Sequence, residues 1–368
     1  MEVAKMMKAR LALFAVISQV LFVSIVSADN NEDRWLVPRG LVASTELKIV
    51  WQFNLPFSKA ESLDEMLLCG NRLCILSKAN YLTCLNRADG NVVFANSIAP
   101  AGLPVVDLRA YKGELITMVG KNLIEISADF GANKTTTRID TGVVCPIVRN
   151  SSFYYVAGAD KRIHVLKADN KVKVFDVAAE NGSGITAVMA EEDYVIFSTE
   201  AGNVIRIAAD KPAKVWQFDA PAGVIGPIVH DATSLYFACR DTCIYCLDLT
   251  SGNLLWKYQT QGILNSAPQL GSKLVYQRVP DMGLAAVDKK KGTLVWQVRD
   301  GKGFLSESGD KTFTITEDGH IIAMDNAKAK QLYSVYLGLP VKYAPNVADA
   351  NMYIADKDGR IACLEPSM

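Results

Sequence analysis

The stretch CLDLTSGNLLWKY (Cys246–Tyr258) recurs 40 residues later as AVDKKKGTLVWQV (Ala286–Val298). In both, an aspartate follows an aliphatic residue, a glycine comes four residues after the aspartate, and a tryptophan comes eight residues after it. The matching residues are Asp248, Gly252 and Trp256 in the first stretch and Asp288, Gly292 and Trp296 in the second. Self-similarity at a period of roughly 20 to 50 residues is the signature of a repeat architecture. The interval therefore predicts a protein built from repeated structural units.

The same register extends along the chain at intervals of 37 to 41 residues and defines eight units. The position of the aspartate is held in turn by Asn86, Ser127, Lys167, Ala208, Asp248, Asp288, Asp325 and Glu365. Eight residues later the chain carries Phe94, Thr135, Phe175, Trp216, Trp256, Trp296 and Tyr333, so Thr135 alone breaks the aromatic pattern. A ligand would need one aromatic platform in the whole protein, whereas packing between neighbouring units would need an aromatic side chain in each unit. We therefore predict that these aromatic residues dock each unit onto the next. We also predict that Asp248, Asp288 and Asp325 cap tight turns, in which Gly252 and Gly292 supply positive φ angles.

Each unit contains four short strand-like segments separated by turn sequences, and a helical period is absent. Four-stranded units of about 40 residues predict an all-β fold, an eight-bladed β-propeller that forms a single domain over residues 47–368. The last unit ends after its third segment, near Glu365, whereas Lys48–Pro56 has the fourth-segment pattern with Trp51 at the aromatic position. We therefore predict that the N-terminal strand joins the C-terminal blade, that Trp51 docks like the other aromatic residues, and that this pairing closes the ring.

The first 28 residues have the organisation of a signal peptide. Basic residues precede the apolar run Leu11–Val26, and Val26-Ser27-Ala28 offers small residues for cleavage after Ala28. A membrane anchor is the alternative, but the run is shorter than the ~20 residues that a spanning helix needs. Residues 29–46 are predicted to form a flexible lead-in. We expect an exported protein, periplasmic or extracellular and associated with the envelope.

Composition argues against several classes of function. The 39 basic and 39 acidic residues balance, and no run of five like charges occurs, so neither nucleic acid nor direct membrane binding is expected. The three histidines are far apart, and metal-ligand spacings are absent from the sequence, so we expect no metal site.

The cysteines divide into two groups. Cys69 and Cys74 flank a Gly-Asn turn, and Cys239 and Cys243 flank Arg-Asp-Thr, so an oxidising compartment would allow disulfides within both pairs. A second group, predicted to be small buried side chains, occupies a position held by Ala or Val in other units; it consists of Cys84, Cys246 and Cys363. Glu125 and Arg206 place charges at that same position. Buried there, each would need a partner, and the alternatives are a rim position, a ligand-facing surface or a less regular blade.

The repeated aliphatic–Asp–polar–polar–Gly pattern with its following Trp resembles the tryptophan-docking repeat of the pyrroloquinoline-quinone (PQQ)-like propeller superfamily, over nearly the whole chain after residue 46. That superfamily includes quinoprotein dehydrogenases and non-catalytic members such as outer-membrane protein assembly factor B. The resemblance implies the fold but does not by itself imply cofactor binding. The chain departs from the assembly-factor pattern in lacking a cysteine that could carry a lipid after the cleavage site.

From these features we expect a non-catalytic propeller scaffold that binds other envelope proteins, contacts the membrane only through a partner, uses no cofactor and is monomeric. A small-ligand or polysaccharide binder is the alternative. A PQQ-dependent dehydrogenase is disfavoured because the predicted loops are short and the superfamily's calcium ligands cannot be placed. Function on a rigid scaffold concentrates in loops, and arginine is enriched at interfaces, so the candidate interaction residues are loop arginines. These are Arg109, Arg240, Arg278 and Arg299.

Overall fold

The four strand-like segments of each repeat pair side by side as one antiparallel sheet. The computed structural model describes residues 34–43, 45–57, 61–338 and 342–367, and the fold belongs to the unit Trp35–Met368. Within these residues, eight four-stranded sheets are arranged as a ring, and a single short helix, α1 (Arg39–Val42), precedes them. The predicted all-β, eight-bladed propeller is confirmed.

The strands follow one another in chain order, four to a blade. Blades 1 to 4 contain β2 (Leu63–Cys69), β3 (Arg72–Ser77), β4 (Tyr81–Asn86), β5 (Val92–Ser97), β6 (Val105–Tyr111), β7 (Glu114–Val119), β8 (Asn122–Ser127), β9 (Asn133–Arg138), β10 (Val148–Arg149), β11 (Phe153–Ala157), β12 (Ile163–Lys167), β13 (Lys173–Val177), β14 (Ile185–Ala190), β15 (Tyr194–Thr199), β16 (Asn203–Ala208) and β17 (Lys214–Asp219). Blades 5 to 7 contain β18 (Val224–His230), β19 (Ser234–Cys239), β20 (Cys243–Asp248), β21 (Leu254–Gln259), β22 (Gln269–Leu270), β23 (Leu274–Val279), β24 (Gly283–Asp288), β25 (Leu294–Val298), β26 (Gly301–Ser308), β27 (Lys311–Thr316), β28 (His320–Asp325) and β29 (Lys330–Tyr336). Blade 8 combines β30 (Lys342–Ala344), β31 (Met352–Ala355) and β32 (Arg360–Pro366) with β1 (Leu47–Asn54).

Blade 8 closes the ring as predicted. Its outermost strand, β1, runs antiparallel to β32, with Trp51 opposite Cys363 and Asn54 opposite Arg360. The two ends of the propeller are therefore joined within one sheet, in which β1 pairs with β32 and β32 pairs with β31. Closure of this kind removes the gap at which an open ring would expose unpaired strands.

The first strand of each blade lies nearest the ring axis. Neighbouring first strands contact one another, as β14 does with β18 and β2 with β30, so they surround a central channel. Because successive antiparallel strands reverse direction, the turns between second and third strands share one face of the ring with the links between blades. We call this the link face. The opposite face carries the other turns.

Burial explains why the middle strands read as continuous apolar runs. β19 (SLYFAC) is buried at every position, because its sheet is covered by blades on both sides. The outermost strand of the same blade, β21 (LLWKYQ), buries only Trp256. The tryptophan of the repeat is thus the residue through which the outer strand reaches the blade interface.

The repeated aromatic residues pack onto the next blade. The indole Nε1 of Trp256 donates a hydrogen bond to the Lys289 carbonyl at 2.7 Å, and Trp51 and Trp216 bond in the same way to Arg87 and Leu249. Trp296 bonds instead to the Asn326 side chain at 2.9 Å. Phe94 is buried, whereas Phe175 and Tyr333 are half-buried.

The turn that receives each aromatic ring is shaped by the repeat. Asp248, Asp288 and Asp325 each accept two backbone N–H bonds from the turn that follows, at 2.7–3.1 Å. Gly252 and Gly292 adopt φ angles of 75° and 66°. Two units without glycine keep the same conformation, because Lys171 and Ala329 take φ angles of 59° and 51°.

Part of the segment that was predicted to be a flexible lead-in (residues 29–46) is packed, which corrects the prediction for residues 36–42. Val37 is fully buried between blades 7 and 8, with Leu36 beside it. The Val37 backbone N–H donates to Gln52 Oε1 and its carbonyl accepts from Gln52 Nε2, both at 2.9 Å. Residues 29–33 and the predicted signal peptide, residues 1–28, lie outside the described residues.

Among the described residues, no helix has the length and apolarity required to span a bilayer.

Candidate functional site

A cavity of 470 Å³ opens beside the central channel, among blades 2 to 5. The first strands of these blades and the links that lead into them form its wall. The wall is largely aliphatic, with contributions from Ile116, Ile147, Val188 and Ile228. Asp107, Arg109, Tyr111 and Arg149 add polar groups on the side of blades 2 and 3. A cavity of this size with a few convergent polar groups is the usual form of a small-ligand site.

Two carboxyl groups meet beside the cavity. Glu65 on β2 hydrogen-bonds to Asp107 on β6 and to the Leu108 backbone N–H, and Arg109 forms an ion pair with Asp107 at 2.5 Å. Burial, and then the charge of Asp107, raise the pKa of Glu65 to about 7. Close carboxylates disfavour double ionisation, so around neutral pH this pair holds a proton for much of the time.

Asp107 occupies an irregular position of β6. Its φ angle is 42°, and the pairing of β6 with β7 shifts between Val106 and Arg109. A bulge of this kind re-aims side chains, and bulges are common next to functional sites. Neither Asp107 nor Glu65 was predicted as a site residue. The alternation Asp-Leu-Arg within an otherwise apolar first strand was the available signal.

The two charges that break the repeat pattern both have partners, and Glu125 is buried whereas Arg206 is half-buried. Arg206 stacks on the Tyr194 ring with its guanidinium carbon 4.0 Å from the centroid, and its Nη1 donates to the Leu249 carbonyl at 2.7 Å. Glu125 lies between blades 2 and 3, where its carboxylate is 3.0 Å from Arg149 Nη1 and 3.3 Å from Lys171 Nζ.

The neighbourhood of Glu125 forms a polar seam, which we define as Glu125, Thr135, Arg149, Tyr154 and Lys171. Thr135 and Tyr154 donate hydroxyl hydrogen bonds to the Glu125 carboxylate. Burial alone would raise the pKa of Glu125, but these two hydroxyls and the Lys171 ammonium lower it. Thr135 is the residue that interrupts the aromatic pattern, and Lys171 replaces the glycine of the following turn. The seam therefore occupies the position at which an aromatic ring covers a glycine at four other blade interfaces.

The disulfide in the structure differs from both predicted pairs. Cys74 is bonded to Cys84, which faces it across β3 and β4, and not to Cys69. The register of β2 and β3 sets Cys74 opposite Leu67, which keeps Cys69 and Cys74 apart. Cys84 is thus half of a disulfide and not an isolated small side chain.

The second predicted pair is also unbonded. Cys239 and Cys243 are free, and both are buried. Their thiols donate instead to backbone carbonyls, Cys239 to Ala222 at 3.1 Å and Cys243 to Asp241 at 3.7 Å.

The four candidate arginines occupy different settings. Arg109 and Arg278 lie in strands β6 and β23, which corrects the prediction that they lie in loops. Arg240 is exposed in the turn after β19, and Arg299 is exposed in the link after β25. Arg278, near the end of β23, pairs with Glu317 of blade 7 at 2.6 Å. The topology places three of the arginines on the link face of blades 5 and 6, namely Arg240, Arg278 and Arg299. Arg109 instead lines the cavity.

The cavity wall also contains a cysteine. Cys145 lines the cavity, and burial raises the pKa of its thiol to about 11, so the thiol stays protonated at neutral pH. In the described part of the chain, no three His, Cys, Asp or Glu side chains are grouped so as to hold a metal ion.

A PQQ-repeat family model, described as outer membrane protein assembly factor BamB, matches residues 200–306. The resemblance to PQQ-like propellers is confirmed. Comparison with curated protein sequences found no significant match.

Three solved structures illustrate the likeness of fold. BamB from Moraxella catarrhalis superposes with a TM-score of 0.64 at 14% identity, over 87% of this chain and 99% of that one. The C-terminal WD40 domain of Sif2 gives 0.65 at 13% identity, over 87% and 98%. The computationally designed Ika8 protein gives 0.68 at 12% identity, over 85% and 98%. The same ring thus occurs in a BamB, in a WD40 domain and in a designed protein.

Proposed function

We propose that this chain is a non-catalytic, exported propeller scaffold that binds other proteins of the cell envelope through its link face. The observation that carries the proposal is that the repeated residues serve the packing and the turns of the blades. The Trp, Asp and Gly of the repeat are occupied by docking and turn formation between blades. Residues that vary from blade to blade, in turns and links, are left to define what the surface recognises.

The comparisons support this proposal from two directions. The family model covering residues 200–306 is named for an outer-membrane protein assembly factor, and the fold is shared with a BamB. An envelope location and protein partners follow by analogy with that name. The predicted signal peptide agrees with it. Monomeric behaviour fits a ring whose end strands already pair with each other.

Arg240 and Arg299 are the residues through which we test the proposal. Both are exposed on the link face, so replacing either with glutamate reverses a surface charge without opening the core. Affinity capture of the tagged full chain from crosslinked envelope extracts, followed by mass spectrometry, is the measurement. We expect the double variant R240E/R299E to lose a partner that the unaltered chain retains, while its Tm stays within about 1 °C.

A matched control is Arg138→Glu. Arg138 is exposed at the end of the outer strand β9 in blade 2, beside Asp140 and across the ring from blades 5 and 6. We expect this variant to keep the partner. Equal loss with R138E would indicate nonspecific charge dependence, and retention by R240E/R299E would remove the link face of blades 5 and 6 from the proposal.

A further inference from the structure

The cavity beside the channel differs in character from the surface of a scaffold. Its aliphatic wall includes Pro146, Ile147, Val188 and Ile228, from links and first strands of three blades. The cavity is open to solvent and partly polar, but an apolar group that leaves solvent to lie against the aliphatic part of the wall is stabilised. The wall therefore selects a ligand with an apolar body.

The polar side of the cavity has two charged groups with capacity to spare. Asp107 and Arg109 are paired at 2.5 Å, and their side chains remain 27% and 41% exposed. A guanidinium has five N–H donors, and a carboxylate has about four lone-pair sites on its two oxygens. The ion pair and the hydrogen bond between Asp107 and Glu65 therefore leave each group able to bind one further partner. Arg109 Nε is in addition buried without a hydrogen-bond acceptor among the described residues. An unsatisfied buried donor is costly. A ligand in the cavity can reach only the exposed part of the Arg109 side chain, not this nitrogen.

The other polar groups of the lining are already committed. The Arg149 guanidinium contacts Glu125 at 3.0 Å and Glu114 at 3.4 Å, and it lies 4.7 Å from the ring centres of both Tyr111 and Tyr154. The Tyr111 hydroxyl donates to Glu192 at 3.3 Å. Recognition of a polar ligand group thus falls to Asp107 and Arg109.

The pairing of these two residues restricts the charge of the ligand. An anion bound to Arg109 would also lie beside the Asp107 carboxylate, and a cation bound to Asp107 would also lie beside the Arg109 guanidinium. Each ligand would be repelled by the like charge of the group that it does not bind. A ligand with an anionic and a cationic group on neighbouring atoms satisfies both residues together.

We propose that this cavity binds an α-amino acid with an apolar side chain, its carboxylate on Arg109 and its ammonium on Asp107. The apolar side chain lies against the aliphatic wall. This inference goes beyond the scaffold function, because the cavity and the link-face arginines are separate features. Either can fail without the other.

The first test uses the unaltered full chain and isothermal titration calorimetry. L-leucine carries both charges, N-acetyl-L-leucine lacks the ammonium, and L-leucinamide lacks the carboxylate. We expect saturable binding of L-leucine and at least tenfold weaker binding of the other two compounds. Equal affinity for the three compounds would show that the protein does not recognise the ammonium and carboxylate groups. Absence of binding for leucine, methionine and phenylalanine, each at about 10 mM, would overturn the proposal.

The second test assigns the two contacts. Asp107→Asn preserves a residue type that tolerates positive φ, and Arg109→Gln preserves hydrogen-bonding capacity without the charge. We expect each to weaken L-leucine binding at least tenfold, with Arg138→Gln on β9 as a control that leaves it unchanged. A variant that melts at the temperature of the unaltered chain and still binds leucine equally well would exclude that contact. Partner capture by the D107N variant is expected to persist, which separates this result from the scaffold test.

Discussion

The indole of Trp256 covers Gly292 of the next blade so closely that a Cβ atom added at residue 292 would lie 2.5 Å from ring atom Cδ2. The same indole donates its N–H to Lys289, three residues before that glycine. Three further aromatic residues cover a glycine in the same way, in the pairs Trp51–Gly90, Phe94–Gly131 and Trp216–Gly252. At these four interfaces the glycine therefore provides both the backbone conformation of the turn and the space for the ring.

Gly292→Ala separates these two requirements when it is compared with Gly309→Ala. Both glycines have positive φ angles, 66° and 59°, but nothing lies within 4 Å of a Cβ at residue 309. The backbone penalty alone is about 1–2 kcal/mol, and overpacking adds about 1–3 kcal/mol. We expect urea denaturation to show a clearly larger loss of unfolding free energy for G292A. Equal losses would mean that the indole moves aside at negligible cost.

Trp256→Ala removes a buried aromatic side chain and the hydrogen bond to Lys289. Deletion of a large buried aromatic residue costs about 3–5 kcal/mol, and we expect that loss in the free energy of unfolding. Trp256→Phe keeps much of the packing but loses the N–H donor, so its loss should be smaller. If W256F lost as much unfolding free energy as W256A, the hydrogen bond and not the packing would be the main contribution of Trp256.

Glu65→Gln tests the carboxyl pair through its pH dependence. The pKa of Glu65 is raised from 4.5 to about 7 in the folded state, so between these pH values the folded chain holds a proton that the unfolded chain has lost. Stability contributed by this protonated form is present below pH 4.5 and declines as pH rises towards about 7. Gln cannot ionise, so we expect the Tm of E65Q to approach that of the unaltered chain at pH 5 and to exceed it at pH 8. A pH-independent difference would contradict the shared proton.

Glu125→Gln tests the polar seam between blades 2 and 3. Removing the charge takes away the acidic partner of Lys171 and leaves Arg149 with only the longer contact to Glu114. Removing one partner of a buried ion pair costs about 3–5 kcal/mol, and we expect a loss of this order in the free energy of unfolding. Glu180→Gln is the matched control, because the ion pair of Glu180 with Lys214 is exposed and worth no more than about 1 kcal/mol. If urea denaturation showed similar small losses for both, the seam would be no more important than a surface ion pair.

The pH dependence of the seam has the opposite sign to that of Glu65. The pKa of Glu125 is lowered in the folded state, so its contribution is present above the pKa of the unfolded chain and is lost as pH falls through the folded value. We expect the Tm difference between the unaltered chain and E125Q to shrink below pH 4. A difference that stays constant from pH 7 to pH 3 would show that Glu125 titrates normally.

The fold was accessible to sequence reasoning because each blade repeats the same local pattern. Asp248 and Asp288 make the same turn contacts within their own blades, so forty residues suffice to define the unit. The Cys74–Cys84 disulfide depends on the register of β3 against β4, which a turn-flanking rule does not supply. Glu65 and Asp107 meet only because two inner strands of adjacent blades converge. Their proximity is a property of the ring and is absent from either repeat alone.

Pairing of Trp51 with Cys363 links residues that are made at very different times. At about 5–20 residues per second, the ribosome needs roughly 15 to 60 s to travel from β1 to β32. Throughout that interval β1 has no sheet to join, and the completed blades cannot form a circle. The ring can therefore close only after β32 has been synthesised. A chain truncated before β32 would leave β1 without the strand with which it pairs.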